Sequence, residues 1–503
     1  MEIDYEIQRT GNIVSVLLPA RKFKIFCAVT KEEALPAVED FACRLLILLS
    51  EINTENLSQY FGLSLHESEI LISSLVEKKL AKFNEKGALE PSSLLLNKNN
   101  NDFENETSLI KFEEVSETVV LDLLTLKVLP NARYSDIKFG VLEIPADQKT
   151  LDISVEQVIE EFSSQFKSYL ELNKKNKKDI ENTKLYKVMH CEKDKFINVP
   201  LEIEFKLSPT DSGIPKVSRE VRSSNRNNYI LSYELEARIS DFLLNLKSDN
   251  NKGVKFLDFC SIFGDKVLVK YFQNGQFNFS NWLVDRDNRL TGYGSSETKG
   301  ILGPIYIEHN SNIFFKELIK AKKNIDISKN HPIFWLTSST PFWGANGVDL
   351  SRFNDKLIDS LKSDIADPLL VPFFAEQNET PLKNRYSMRL QNGAMLCGEN
   401  LIDNVEVLLI KGVIAVVQYH LVPDPNSSIT VPIGFITTDS NRLEEISNFL
   451  DSRLLNGRKP KKVWGKFELS DLFTNDELVN MSNTSTVKVI KKRNISREFN
   501  LRK

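Results

Sequence analysis

The feature that most restricts this chain is the spacing of apolar residues between positions 33 and 96. Val38, Phe41, Ala42, Leu45, Leu46 and Leu49 recur three and four apart, which predicts an amphipathic helix over about 33–51. A short helix follows over 53–61, with Thr54 as its N-cap, Leu57, Tyr60 and Phe61 facing inward, and Gly62 as its stop. Ser64 is placed to cap a third helix, in which Leu65, Ile70, Leu71, Leu75 and Leu80 supply a buried stripe. Residues 84–95 then read as a hairpin that turns at Gly87.

This order of elements, and the segment YFGLSLHESEILISSLVEKKLAKF in particular, resembles the winged helix-turn-helix family over about residues 32–96. The resemblance implies a third helix that enters a DNA major groove, with basic or amide side chains toward the bases and phosphates. The residues at hand are of the opposite character. The front of that helix carries His66, Glu67, Ser68 and Glu69, and its lysines, Lys78 and Lys79, stand at the far end. Between Lys31 and Glu90 there are eleven acids against six bases. Phosphate attraction supplies most non-specific affinity for DNA, so a module of this sign is better suited to docking a protein, and His66, Glu67 and Glu69 are the candidate docking residues. Lys78, Lys79, Lys82 and Lys86 keep a secondary backbone contact open.

The chain is long for one core, and composition shifts divide it. Residues 1–96 hold N-terminal strands and the winged helix, and the Asn-rich stretch 97–107 is a linker. Residues 108–250 read as a mixed α/β domain, 251–457 as a β-rich α+β domain, and 458–503 as a basic C-terminal segment. The fold class is therefore multidomain α+β, an N-terminal winged helix followed by mixed α/β central and C-terminal domains. Two apolar runs around Pro19 suggest a strand pair. The aromatic-rich runs VKFLDFCSIF, KVLVKYF and FNFSNWLV suggest strands, and Trp343 is expected in a core.

Nucleic-acid contact is expected where the charge changes sign. Lys216, Arg219, Arg222 and Arg226 sit in a Ser/Asn-rich segment that reads as a loop with only Glu220 opposing. Toward the end of the chain, Arg458, Lys459, Lys461 and Lys462 are followed by Lys488, Lys491, Lys492, Arg493 and Arg497. Like charges on one face within about 8 Å act together on a polyanion.

Two stretches carry residues of catalytic type. Glu202, Glu204 and Lys206 alternate along LEIEFKL and so project from one strand face, the spacing of the E-x-K half of a PD-(D/E)xK nuclease. That chemistry needs a further acid on a neighbouring strand, for which Asp179 and Asp194 are the candidates. His420 stands in HLVPD, where phospholipase-D-like enzymes have a lysine two residues after the histidine; Val422 occupies that place, and the activity is not carried over.

Five cysteines without paired spacing exclude a disulfide framework and fit reduced thiols. The acidic start is the wrong sign for a secretory leader, and no apolar run reaches the length of a membrane span. The expectation is a cytoplasmic, non-catalytic accessory subunit with no cofactor and no membrane contact. It would bind nucleic acid, DNA rather than RNA, and use its winged helix mainly to dock a protein partner. Accessory subunits of this general make-up occur in bacterial multi-gene systems, antiviral defence systems among them. The alternatives are the Mg-dependent nuclease and a purely protein-interaction scaffold.

Overall fold

The computed structural model describes residues 8–98, 108–131, 142–174, 176–223, 231–246, 254–322, 332–365, 367–376, 378–397, 404–424, 429–455 and 458–473. The protein is a multidomain α+β chain with two compact units. The smaller is Ala20–Arg133 with Asp147–Phe196, and the larger is Met1–Pro19, Tyr134–Ala146 and Ile197–Lys503. Among the described residues no helix is long and apolar enough to cross a membrane.

In chain order the first elements are β1 (Arg9–Ala34), α1 (Ala37–Leu49), α2 (Thr54–Phe61), α3 (Leu65–Glu77), β2 (Ala81–Phe83), β3 (Leu89–Pro91) and α4 (Ser93–Lys98). They are followed by β4 (Ser108–Asp122), β5 (Val128–Leu129), β6 (Leu142–Glu143), α5 (Gln148–Leu151), α6 (Val155–Ser164), α7 (Phe166–Asn173) and α8 (Lys177–Asn182). The expected strand pair around Pro19 is instead one strand, β1, because proline's fixed φ is compatible with extended backbone.

In the smaller unit, β1 pairs antiparallel with β4 from Ala20↔Asp122 to Ala34↔Ser108, and β4 pairs with β5. Phe23, Ile25, Val119, Leu121, Phe162 and Tyr169 build one core there. A separate core of Leu35, Ala42, Leu46, Leu57, Leu71, Leu75, Leu80 and Leu89 belongs to α1, α2, α3 and the β2–β3 hairpin. Asn53, rather than Thr54, occupies the N-cap of α2. Gly62 ends that helix at φ +66°, a left-handed conformation that glycine adopts without a Cβ penalty. Ser64 and Glu67 form a reciprocal capping box on α3. The hairpin turns through Gly87, with the Asn84 Oδ1 accepting from the Lys86 and Ala88 amides at 3.0 Å each.

The larger unit contains β7 (Thr183–Ser208, shared with the smaller unit), β8 (Lys216–Ser223), α9 (Tyr233–Asn245), α10 (Phe256–Ile262), β9 (Phe272–Gln273), β10 (Gln276–Phe277), α11 (Phe279–Asp287), β11 (Thr298–Leu302) and α12 (Glu308–Lys322). It continues with β12 (Ile333–Leu336), α13 (Gly347–Leu361), β13 (Leu370–Phe374), α14 (Glu379–Tyr386), β14 (Gly393–Cys397), β15 (Val405–Ile410), β16 (Ile414–Leu421), β17 (Val431–Thr437), α15 (Ser440–Leu455) and β18 (Arg458–Trp464). An eight-stranded sheet has the order β11-β17-β16-β15-β12-β13-β14-β18, in which β12, β13 and β14 run parallel and the remaining pairs antiparallel.

Side chains alternate between the sheet faces, and each face is covered. Phe334, Leu336, Val407, Leu409, Val417 and Phe435 join α10, α11 and α15 in one core, whereas Ile333, Trp335, Leu408, Ile410, Val416 and Ile436 join α12 and α13 in the other. The segments VKFLDFCSIF and FNFSNWLV, read as strands, are mostly helical, as α10 and α11. Phe256, Phe259, Cys260 and Phe263 follow helical spacing, so one apolar face decides the outcome over the β-preference of the aromatic rings. Trp343 is 1% exposed, in the core.

Candidate docking groove

The helix–helix–helix–hairpin module presents more apolar surface than its spacing predicted. Ser68, Leu71 and Leu75 set the buried face of α3. Leu65 and Ile70, expected in that stripe, are exposed, Leu65 at 85%, and Tyr60 on α2 is exposed as well. On α1, Ala42 and Leu46 are buried, whereas Val38, Phe41 and Leu49 are exposed. A helix of two or three turns against a small core buries a narrower stripe than its apolar residues span.

Part of that surplus lines one groove. It lies between α2, α3 and β2, with a volume of about 800 Å³, and its apolar lining is Leu65, Ile72, Val76 and Phe83. Positions 65, 69, 72 and 76 fall on one face of α3, so the apolar stripe and Glu69 share that face. Glu55, Glu69 and Glu77 are the charged residues of the lining, and no lysine, arginine or histidine contributes to it. Ser58 and Ser68 place their hydroxyls 2.5 Å apart, joining α2 to α3 in the same lining.

Of the three docking candidates, Glu69 lines the groove and His66 and Glu67 do not. Glu67 is engaged at the N-terminus of α3, where its Oε2 accepts from the Ser64 amide at 2.9 Å and the Ser64 hydroxyl at 2.7 Å. Those hydrogen bonds hold its carboxyl below the usual carboxylate range. Two of the four lysines near the hairpin are ion-paired, Lys78 with Glu39 at 2.5 Å and Lys82 with Glu90 at 2.7 Å.

The basic candidates are dispersed. Lys216, Arg219 and Arg222 belong to a strand, β8, instead of a loop, because it is paired residue for residue with β7 from Leu201↔Ser223 to Ser208↔Lys216. Lys216 is exposed, and Arg219 Nη1 donates to the Ser240 hydroxyl at 2.6 Å. Lys459 on β18 is exposed, while Lys461 pairs with Glu379 and Lys462 with Glu468 at 2.9 Å. The Arg222 and Arg458 side chains, together with Arg226, Lys488, Lys491, Lys492, Arg493 and Arg497, lie outside the described residues.

Glu202, Glu204 and Lys206 lie on β7 as the spacing implied. Glu204 is buried and accepts from the Thr10 hydroxyl, and Lys206 is ion-paired with Glu220 at 2.5 Å. Asp179 is on α8 and Asp194 on β7 itself, so neither supplies the acid of a neighbouring strand. Among the described residues no three His, Cys, Asp or Glu side chains are grouped to hold a metal ion. No family model matches the chain, and no curated protein matches it.

Proposed function

We propose that this protein is a docking subunit of a cytoplasmic complex, and that its helix–helix–helix–hairpin module, read as a winged helix, receives a basic amphipathic helix of a partner protein. The observation that carries this reading is the apolar stripe Leu65, Ile72, Val76 and Phe83, in which Leu65, Val76 and Phe83 are exposed and Ile72 is half-buried, in a groove whose charged lining is wholly acidic. Leaving such a stripe in water is unfavourable unless another apolar surface covers it, and helices seat in grooves of this kind through residues three and four apart. The acids select a partner with lysine or arginine beside its apolar face and repel phosphates, so the same surface disfavours DNA. Nucleic-acid contact, DNA rather than RNA, then falls to the basic residues elsewhere, Lys216 and Lys459 and the segment 488–503.

The test uses the full-length protein and two labelled model helices with one apolar face, flanked by lysine in one and glutamate in the other. Anisotropy titration is expected to show saturable binding of the lysine helix, weakened by salt and abolished by Val76→Asp. Equal binding of both helices, or binding unchanged in Val76→Asp, would remove the groove from the account.

A further inference from the structure

A second site, in the larger unit and independent of the docking groove, is built around His420. It stands near the end of β16 and is 3% exposed. Its Nε2 lies 2.8 Å from Oε2 of Glu406 on β15, itself 1% exposed, and the other oxygen of that carboxylate accepts from Trp335 Nε1 at 2.9 Å. An ionised carboxylate only accepts, so Glu406 fixes the proton on Nε2 and leaves Nδ1 as an acceptor. What faces Nδ1, at 3.4 Å, is the hydroxyl of Thr340. The Ser338 hydroxyl in turn donates to Thr340 Oγ1 at 3.2 Å. The directions agree along the whole line, each hydroxyl donating toward the imidazole and the imidazole toward Glu406.

The outer end of this line opens on a cavity. Ser338, Ser339 and Thr340 line a space of about 230 Å³ together with Glu376 and Arg385. Thr337 to Pro341 follow β12 directly, and Ala375 and Glu376 follow its parallel neighbour β13. The cavity therefore lies at the carboxyl ends of adjacent parallel strands, where α/β sheets bind their ligands. His420 and Glu406 are behind it, on the antiparallel strands β16 and β15, and reach it through Thr340.

We propose that Thr340 is a nucleophile, His420 its general base and Glu406 the positioning residue of an acyl-transfer site that hydrolyses small esters. Thr340 Oγ1 attacks the acyl carbon as its proton passes to His420 Nδ1. The bond to the leaving alkoxide breaks, and the alkoxide takes that proton and departs as an alcohol. Water then attacks the acyl-threonine with its proton going to Nδ1, the acid leaves, and the proton returns to Thr340. Glu406 stays ionised and balances the imidazolium at each step. The 3.4 Å contact is at the long end for a hydroxyl donor, as in unliganded sites that tighten when substrate binds. The cavity volume restricts the acyl group to a short one.

The experiment measures hydrolysis of p-nitrophenyl acetate by the full-length protein, and covalent uptake of a fluorophosphonate probe with the modified residue mapped by peptide mass spectrometry. Turnover above buffer and label on Thr340 are expected; both should be lost in Thr340→Val and kept in Thr340→Ser. Glu406→Gln should lower kcat by about 100-fold at unchanged KM and unchanged circular dichroism. A protein with neither turnover nor label overturns the proposal, as does activity that survives in Thr340→Val. Should Thr340→Val fail to fold, label on the wild-type protein at a residue other than Thr340 overturns it equally.

Discussion

Lys78 Nζ at the C-terminus of α3 lies 2.5 Å from the Glu39 carboxylate of α1, and Ser74 donates to the same carboxylate at 2.8 Å. The pair joins the first and third helices of the helix–helix–helix–hairpin module. It also neutralises one of the cations that a phosphate contact would need. Glu39 is 9% exposed, so truncating its partner leaves a carboxylate poorly hydrated. Lys78→Ala is expected to lower stability by about 1–2 kcal/mol in chemical denaturation, with binding of a basic helix retained. A variant as stable as wild type would show that the pair holds nothing together.

Leucines on the two faces of α3 should behave oppositely. Leu75 is fully buried, and Leu75→Ala is expected to cost about 2–5 kcal/mol. Leu65, although also apolar and on the same helix, should change stability by under about 0.5 kcal/mol on truncation and should weaken partner binding instead. Urea unfolding of the two variants, with anisotropy on the second, separates the roles.

The capping box makes part of the stability of α3 sensitive to acid. Folding lowers the Glu67 pKa through the Ser64 hydrogen bonds, so its contribution is present above the unfolded pKa and is lost as pH falls through the folded one. The difference in melting temperature between wild type and Glu67→Ala should therefore narrow from about pH 7 toward about pH 3. A constant or widening gap would exclude this linkage.

Cys27, Cys43, Cys191 and Cys260 are all buried. Burial pushes the Cys43 and Cys260 thiols up to about 12 and Cys27 to about 11, so thiolate is scarce at neutral pH. Iodoacetamide with peptide mapping should modify these four only after denaturant is added, and rapid modification of Cys43 in the native protein would contradict its placement.

Local signals carried well from sequence to structure. Ser64 as the cap of α3, Gly62 as the stop of a short helix and the turn at Gly87 each rest on chemistry within a few residues, and the structure places them so. The hairpin read over 84–95 runs instead through Ala81–Phe83 and Leu89–Pro91, and Glu67, read as a docking residue, completes the Ser64 cap. Burial was less legible because it depends on what packs against a helix. The apolar letters of α3 do not show that Leu71 and Leu75 find a core while Leu65 and Ile70 do not. Arg219 and its neighbours looked like loop because Ser and Asn surround them, and the β7 partner that makes them a strand is set by pairing. The His420 site was the least legible. Glu406 meets His420 through the β15–β16 ladder, and Thr340 arrives from the loop after β12, eighty residues earlier in the chain. Its one local trace was a histidine in HLVPD with no cation beside it.

The most direct measurement of the central claim is the affinity of the full-length protein for the lysine-flanked and glutamate-flanked helices across a salt series, with Val76→Asp as control. Preference for the lysine helix, decreasing with salt and absent in Val76→Asp, is the predicted result. Binding that ignores flank charge, salt and Val76 would contradict it.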